Sequence, residues 1–162
     1  LTKTSNWIII LHVERTAAFV NDQVETMILR CREAGMNVTP QRIAIYRALV
    51  GSTEHPSPEM LFNDVSRSMP SLSLATIYKT LETLETIGLV REIPVTGDRK
   101  RFDAIIENHH HLICTVCGSV GDYHDESLDA LPPRRRLGGF VPHAVSVNVI
   151  GVCSKCRDNE VH

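Results

Sequence analysis

The sequence has no long apolar run, almost no net charge, no internal repeat beyond a pair of cysteine knuckles, and no thiol in a secretory setting. The longest apolar stretch in the first twenty residues, Trp7 to Leu11, falls far short of the roughly 20 residues that cross a bilayer. No basic segment followed by a cleavage site frames it. A membrane partner is therefore not expected, and the reading is of a cytoplasmic protein whose thiols stay reduced. The net charge of −2 does not announce nucleic acid, although residues 39–101 carry 8 basic against 7 acidic side chains and residues 102–162 carry 5 against 8. The first part can face phosphate and the second can hold cations. There is no H-E-x-x-H, and a zinc hydrolase would also need an open coordination position with a base beside it, for which Glu107 is the sole candidate. With 162 residues, 43% of them apolar, the chain can bury one good core or two small ones.

Four of the five cysteines form two C-x-x-C pairs, Cys114/Cys117 and Cys153/Cys156, with His109-His110-His111 just upstream of the first. Two such knuckles suit a tetrahedral four-thiolate zinc site. A redox C-x-x-C normally occurs once and opens a helix in a βαβ unit, a context neither pair has. Structural disulfides would suit a secreted chain and would leave Cys31 over. Gly118 and Gly151 flank the pairs and let the backbone turn sharply around a metal.

Upstream, the pattern is helical. Val24 to Ala34 is closed by Gly35; Pro40 to Val50 follows Thr39 as N-cap; Ser57-Pro58 opens a third helix to about Ser68; and Ser73 to Ile87 carries Ile77, Leu81 and Leu84 on one side. Strand-like Leu89 to Val95, a turn at Thr96-Gly97-Asp98, and Arg99 to Ile105 come next. Helices followed by a hairpin are the layout of a winged helix-turn-helix, whose last helix enters the major groove of double-stranded DNA. Ser73, Thr76, Tyr78, Lys79 and Thr80 would be its readers, against the plainer reading of a solvated face. Past residue 106 the period shortens to strands at His111 to Cys114, Ser119 to Tyr123 and Ala144 to Ile150, with Glu126 to Ala130 helical until Pro132-Pro133 cuts it. The fold class is α+β, with a small second domain after the winged helix. Residues 1–23 are expected to be an extension of unknown order, with a helix or strand around Trp7 to Val20.

His109 and His111 are two apart, so on a strand they share a face that His110 does not. With Asp103 and Asp122 near the ends of adjoining elements they make a mixed N/O shell suited to Fe(II), Mn(II) or Zn(II).

Residues from about 24 to 157 resemble the ferric uptake regulator family of metal-dependent bacterial repressors. The likeness runs through Val38-Thr39-Pro40-Gln41-Arg42, Glu54-His55-Pro56-Ser57, Ser73 to Tyr78, Gly88-Leu89-Val90, Arg101-Phe102-Asp103, His109 to Gly118, and Gly151 to Cys156. It implies a homodimer on an inverted-repeat operator, with a winged-helix domain over 24–105 and a metal-binding α/β dimerisation domain over 106–162. It implies structural Zn(II) on Cys114, Cys117, Cys153 and Cys156. It also implies a regulatory Fe(II) or Mn(II) on His55, Asp103, His109, His111 and Asp122; His55 comes from the resemblance alone. Aspartate at 122, where iron sensors typically carry glutamate, resembles the peroxide-sensing branch, in which Fe(II) and hydrogen peroxide oxidise a ligand matching His55 or His109 and the repressor lets go. An iron- or zinc-responsive uptake repressor is the runner-up.

The chain departs from the family in three places. A further family metal site would need ligands at Asn108, His110, Asp129 and Val145, so that site is expected to be absent or weak; Pro132-Pro133 shortens a helix of the dimerisation domain; and residues 1–23 have no counterpart. Outside the family, a zinc-dependent enzyme would show activity without DNA and no operator binding, and a purely structural zinc module would tolerate alanine at Lys79.

Overall fold

A computed structural model describes residues 15–95, 100–107, 109–125, 128 and 146–159. Four helices come first, α1 (Ala17–Glu33), α2 (Pro40–Gly51), α3 (Pro58–Val65) and α4 (Leu74–Thr86), followed by an antiparallel hairpin of β1 (Arg91–Ile93) and β2 (Arg101–Asp103). A three-stranded sheet then forms from β3 (His110–Cys114), β4 (Val120–Tyr123) and β5 (Asn148–Gly151), with β3 central, antiparallel to β4 and parallel to β5; α5 (Ser154–Asn159) closes the described chain.

Each early helix starts where a hydroxyl can satisfy an orphan N–H. Thr16, Thr39, Ser57 and Ser73 accept from Phe19, Arg42, Met60 and Thr76, a device worth about 1 kcal/mol each. Two glycines end helices for a conformational reason. Gly35 and Gly88 stand at φ +68° and +69°, and behind each the two bonds of a Schellman motif close, Met36 N–H to Cys31 and Leu89 N–H to Leu84 among them.

The first helix corrects the sequence reading. It begins at Ala17 rather than Val24, so residues 17–23 belong to the packed fold: Val20, Val24, Met27 and Cys31 recur at helical spacing and are buried. The described strands are shorter than expected; Ser146 and Val147 precede β5, which begins at Asn148, and Ala144 lies outside the described residues. The predicted turn at 96–98, the Pro132-Pro133 break, Asn108, Asp129 and Val145 lie outside the described residues, as does the Glu126 to Ala130 segment apart from Leu128.

The main core joins the four helices to the hairpin: Met27, Ile45, Tyr46, Leu49, Leu61, Ile77 and Leu84 are almost fully buried, with Phe102 and Ala104 closing one side. A small second core holds Ile113 and Val120 of the sheet together with Ile93 of β1. The hairpin therefore touches both cores, and what it carries is held between the helices and the sheet. Among the described residues no helix is long and apolar enough to cross a membrane.

Candidate metal centres

The sheet register builds the thiol cluster. Cys114 ends β3 opposite Gly151 in parallel pairing, so the chain leaving β5 delivers Cys153 next to it. The β3–β4 turn brings Cys117 back, with Gly118 N–H donating to the Cys114 carbonyl (3.0 Å), and Cys156 lies on the first turn of α5. The four sulfurs lie within 4.8 Å of one another. No disulfide links them. Cys117 Sγ and Cys153 Sγ are 3.8 Å apart, and sulfurs each about 2.3 Å from one tetrahedral ion stand about 3.8 Å from each other. The N–H groups of Cys117 and Cys153 pull the Cys114 thiol down to about 6, while hydrogen bonding with the Cys153 and Cys117 thiols pushes Cys156 up to about 12. Four thiolates cannot share this space without a cation; the first is already prepared to ionise.

The second constellation is buried and assembled from distant segments. His55, Asp103, His109 and His111 place one donor atom each within 4.8 Å of all the others, and all four are 1–3% exposed. His55 sits between α2 and α3 at φ +48°, a left-handed conformation uncommon for a non-glycine residue and all the more so before a proline. That turn is pinned to β2, since Phe102 N–H donates to the Pro56 carbonyl at 3.3 Å. Asp103 is the last residue of β2; His109 precedes β3, and His111 lies within it, paired with Asp122 of β4.

Asp122 completes the contacts. Its Oδ1 lies 2.8 Å from His55 Nε2 and 3.3 Å from His109 Nε2. Asp103 Oδ2 lies 3.1 Å from His109 Nε2 and 3.7 Å from His111 Nε2, and its Oδ1 is 3.8 Å from His55 Nε2. Yet His55 Nε2, His111 Nε2 and Asp122 Oδ1 are buried with no hydrogen bond among the described residues. The donors converge without aligning on one another. Donors about 2.1 Å from a shared cation stand about 3.0 Å apart at right angles and about 3.4 Å apart at tetrahedral angles, so these separations suit a common ion better than a hydrogen-bond network. The set is N and O throughout, without thiolate, a donor chemistry that fits Fe(II), Mn(II) or Zn(II).

The charges of this set are tightly coupled. Burial works to raise the Asp103 carboxyl, but contacts with His109 and His111, the Ile105 N–H and the charge of His55 outweigh it and hold it far below the usual carboxylate range. Asp122 is lowered likewise: burial opposes, and His109 and His55 prevail. Burial works to lower His109, but Asp103, Asp122 and the Glu107 carbonyl raise it to about 9. His111 is lowered, first by burial. His109 Nδ1 lies 2.8 Å from the Glu107 carbonyl, the outer hydrogen bond that fixes a ligating imidazole with Nε2 turned inward.

The two cysteine knuckles and the His/Asp set thus come together as two separate clusters. His110, by contrast, turns away: its Nδ1 accepts from Val147 N–H at 3.2 Å. On α4, Ser73 is spent on the N-cap and Thr76 is half-buried, while Tyr78 and Lys79 are exposed and the Tyr78 hydroxyl donates to Glu59 at 2.7 Å. Thr80 is a correction. It is 6% exposed on the face shared with Ile77 and Leu84, three residues along from a core position, and cannot reach a base edge.

Sequence reasoning missed two arginines. Arg91 pairs directly with Asp103 in the hairpin register and donates to its Oδ2 at 2.9 and 3.1 Å, with Nη2 also against the His109 ring. A known hairpin register would have placed it. Arg15, outside every motif, reaches Asp122 from in front of α1.

The sequence profile of the ferric uptake regulator family matches residues 33–149. The chain belongs to the ferric uptake regulator family. Within that family it is similar to the peroxide-responsive repressor PerR of Staphylococcus epidermidis, 34% identical over 140 residues that cover 86% of this chain and 93% of that protein. Among solved structures, the Campylobacter jejuni peroxide stress regulator is 31% identical with a TM-score of 0.63, covering 82% of this chain and 98% of that one. A zinc-bound manganese uptake regulator is 29% identical with a TM-score of 0.61, covering 79% and 98%. The winged helix followed by a small sheet domain is thus this family's architecture.

Proposed function

We propose that this member of the family is a metal-dependent transcriptional repressor, not an enzyme, that binds operator DNA as a homodimer and is released when peroxide oxidises its Fe(II) site. One observation carries the reading: the buried His/Asp set takes His55 and Asp103 from the winged helix and His109, His111 and Asp122 from the segment that forms the sheet. We assign these five as regulatory ligands, Cys114, Cys117, Cys153 and Cys156 as holding structural Zn(II), and the domain division to a point near residue 105. A cation gripped from both sides favours the closed arrangement by its differential affinity for it. Two α4 helices so held can read half-sites about one helical turn apart. Tyr78, its hydroxyl held by Glu59, and Lys79 remain as exposed α4 side chains to face DNA. Leu112 and Val149, neighbours in the sheet and 40–43% exposed, support a second subunit there.

His55, Asp103, His109, His111 and Asp122 would hold Fe(II), and the chemistry supplied there would be reduction of hydrogen peroxide beside the ligand imidazoles. The net change is one oxygen from peroxide onto a ring carbon of His55 or His109, with water as the other product. The oxidised ring is a poorer donor, and the joint grip on the two domains weakens. The peroxide-responsive relative and Asp122 support this branch; the manganese uptake regulator supports the metal-uptake alternative. Protein loaded with Fe(II) or Mn(II) and exposed to peroxide separates them by peptide mass spectrometry. An added oxygen at His55 or His109 in the Fe(II) form alone is the expected result; none in either form rejects peroxide sensing.

A further inference from the structure

Arg15 stands just before α1, outside the family-matched residues 33–149. Its side chain is 6% exposed, and a buried guanidinium is strongly unfavourable unless it is paired. Nη1 donates to the carbonyls of Val50 at 2.9 Å and Leu49 at 3.4 Å, in the last turn of α2. Nη2 is buried, makes no hydrogen bond among the described residues, and lies 3.7 Å from Asp122 Oδ2. The other oxygen of that carboxylate is the one facing His55 and His109.

We propose that Arg15 is a positioning residue for the regulatory metal: it fixes Asp122 from behind and ties it to the end of α2, from which the chain turns into His55. The inference rests on the assignment of the His/Asp set as a metal site. A guanidinium behind a ligand carboxylate has two opposed effects, orienting the ligand and repelling the incoming cation. Here orientation wins, because the same guanidinium faces the carbonyl end of α2, whose partial negative charge offsets its field at the site. By reciprocity, metal held by Asp122 steadies Arg15 just before α1, a part of this chain the family profile does not include.

The test is Mn(II) affinity of zinc-loaded protein, read from the electron paramagnetic resonance signal of free Mn(II), for wild type, Arg15→Met, Arg15→Lys and His109→Ala. Removing an outer partner of a metal ligand typically weakens binding about 10-fold to 100-fold. Arg15→Met should therefore bind Mn(II) about tenfold more weakly with its zinc content unchanged, and Arg15→Lys, which keeps the charge, should recover most of the loss. Wild-type affinity in Arg15→Met, tighter binding in it, or equal losses in Met and Lys would each overturn the proposal. Those outcomes are distinct from failure of the site assignment, which would appear as identical Mn(II) binding by wild type and His109→Ala. A fall in thermal midpoint without a change in affinity would make Arg15 a cap of α2 alone, and the proposal would again fall.

Discussion

The two clusters in this chain are built in opposite ways. The four cysteines come from two short knuckles that β3 and β5 hold side by side, partly open to solvent. The His/Asp set is buried apart from Asp122, whose side chain is 18% exposed, and is drawn from the α2–α3 turn, the end of β2, the start of β3 and β4. A site made of local knuckles within one sheet can stabilise that sheet but has nothing to move. A site that spans the helical part and the sheet is sensitive to their relative placement, and so can report on it.

The comparison breaks most visibly if the thiol cluster is dispensable. Structural zinc contributes about 10 kcal/mol or more where it has been measured in small domains, comparable with the roughly 5–15 kcal/mol that holds a whole domain folded. Cys117→Ser, or zinc removal by a strong chelator, should unfold the small sheet and abolish any dimer, seen by far-UV circular dichroism and size exclusion. A folded dimer without zinc would refute the structural role. The next effect is functional rather than structural: His109→Ala should stay folded and keep its zinc, yet need at least about 100-fold more Mn(II) to retard operator DNA in a gel shift, since even outer partners of a ligand are worth that much. Metal-independent retardation by this variant would leave the buried set without a regulatory role.

The unequal legibility of the clusters has the same origin. C-x-x-C fixes two donors within one turn, so spacing alone reveals the cysteines. The pair His109 and His111 was readable from strand alternation, and Asp103 and Asp122 from their positions at element ends. His55 was not readable from pattern, because nothing local marks a histidine whose donor role depends on a positive φ and a turn pinned to β2. The start of α1 was obscured by Ala17, Ala18, Phe19, Ile28 and Leu29, which fill positions around the buried stripe of Val20, Val24, Met27 and Cys31 and blur its period. Arg91 and Arg15 act across register and tertiary contact, about which linear spacing is silent.

On the DNA side, the reading surface of α4 narrows to side chains that reach solvent. Lys79→Ala should weaken operator binding evenly across sequences and reduce the salt slope of the affinity by about 1, as loss of one phosphate contact does. Thr80→Val, nearly the same shape on the buried face, should leave DNA affinity and salt slope as they are. Fluorescence anisotropy at several salt concentrations distinguishes the two, and a Thr80→Val defect larger than that of Lys79→Ala would mean that α4 does not present the face described.

The smallest effect tests whether the His/Asp set stores strain that the thiol set does not. His55→Ala and His55→Gly both delete the imidazole and should lose Mn(II) affinity alike. They differ in tolerance of φ +48°: a side chain in the left-handed region costs roughly 1–2 kcal/mol, and glycine escapes this at an entropic cost of about 0.5–1 kcal/mol. The usual order of alanine above glycine should therefore reverse, leaving metal-free His55→Gly more stable than His55→Ala by about 0.5–1 kcal/mol in urea denaturation. If alanine is the more stable, the turn relaxes freely around position 55. His55 would then be a ligand that metal must first draw into place, rather than one the fold holds ready.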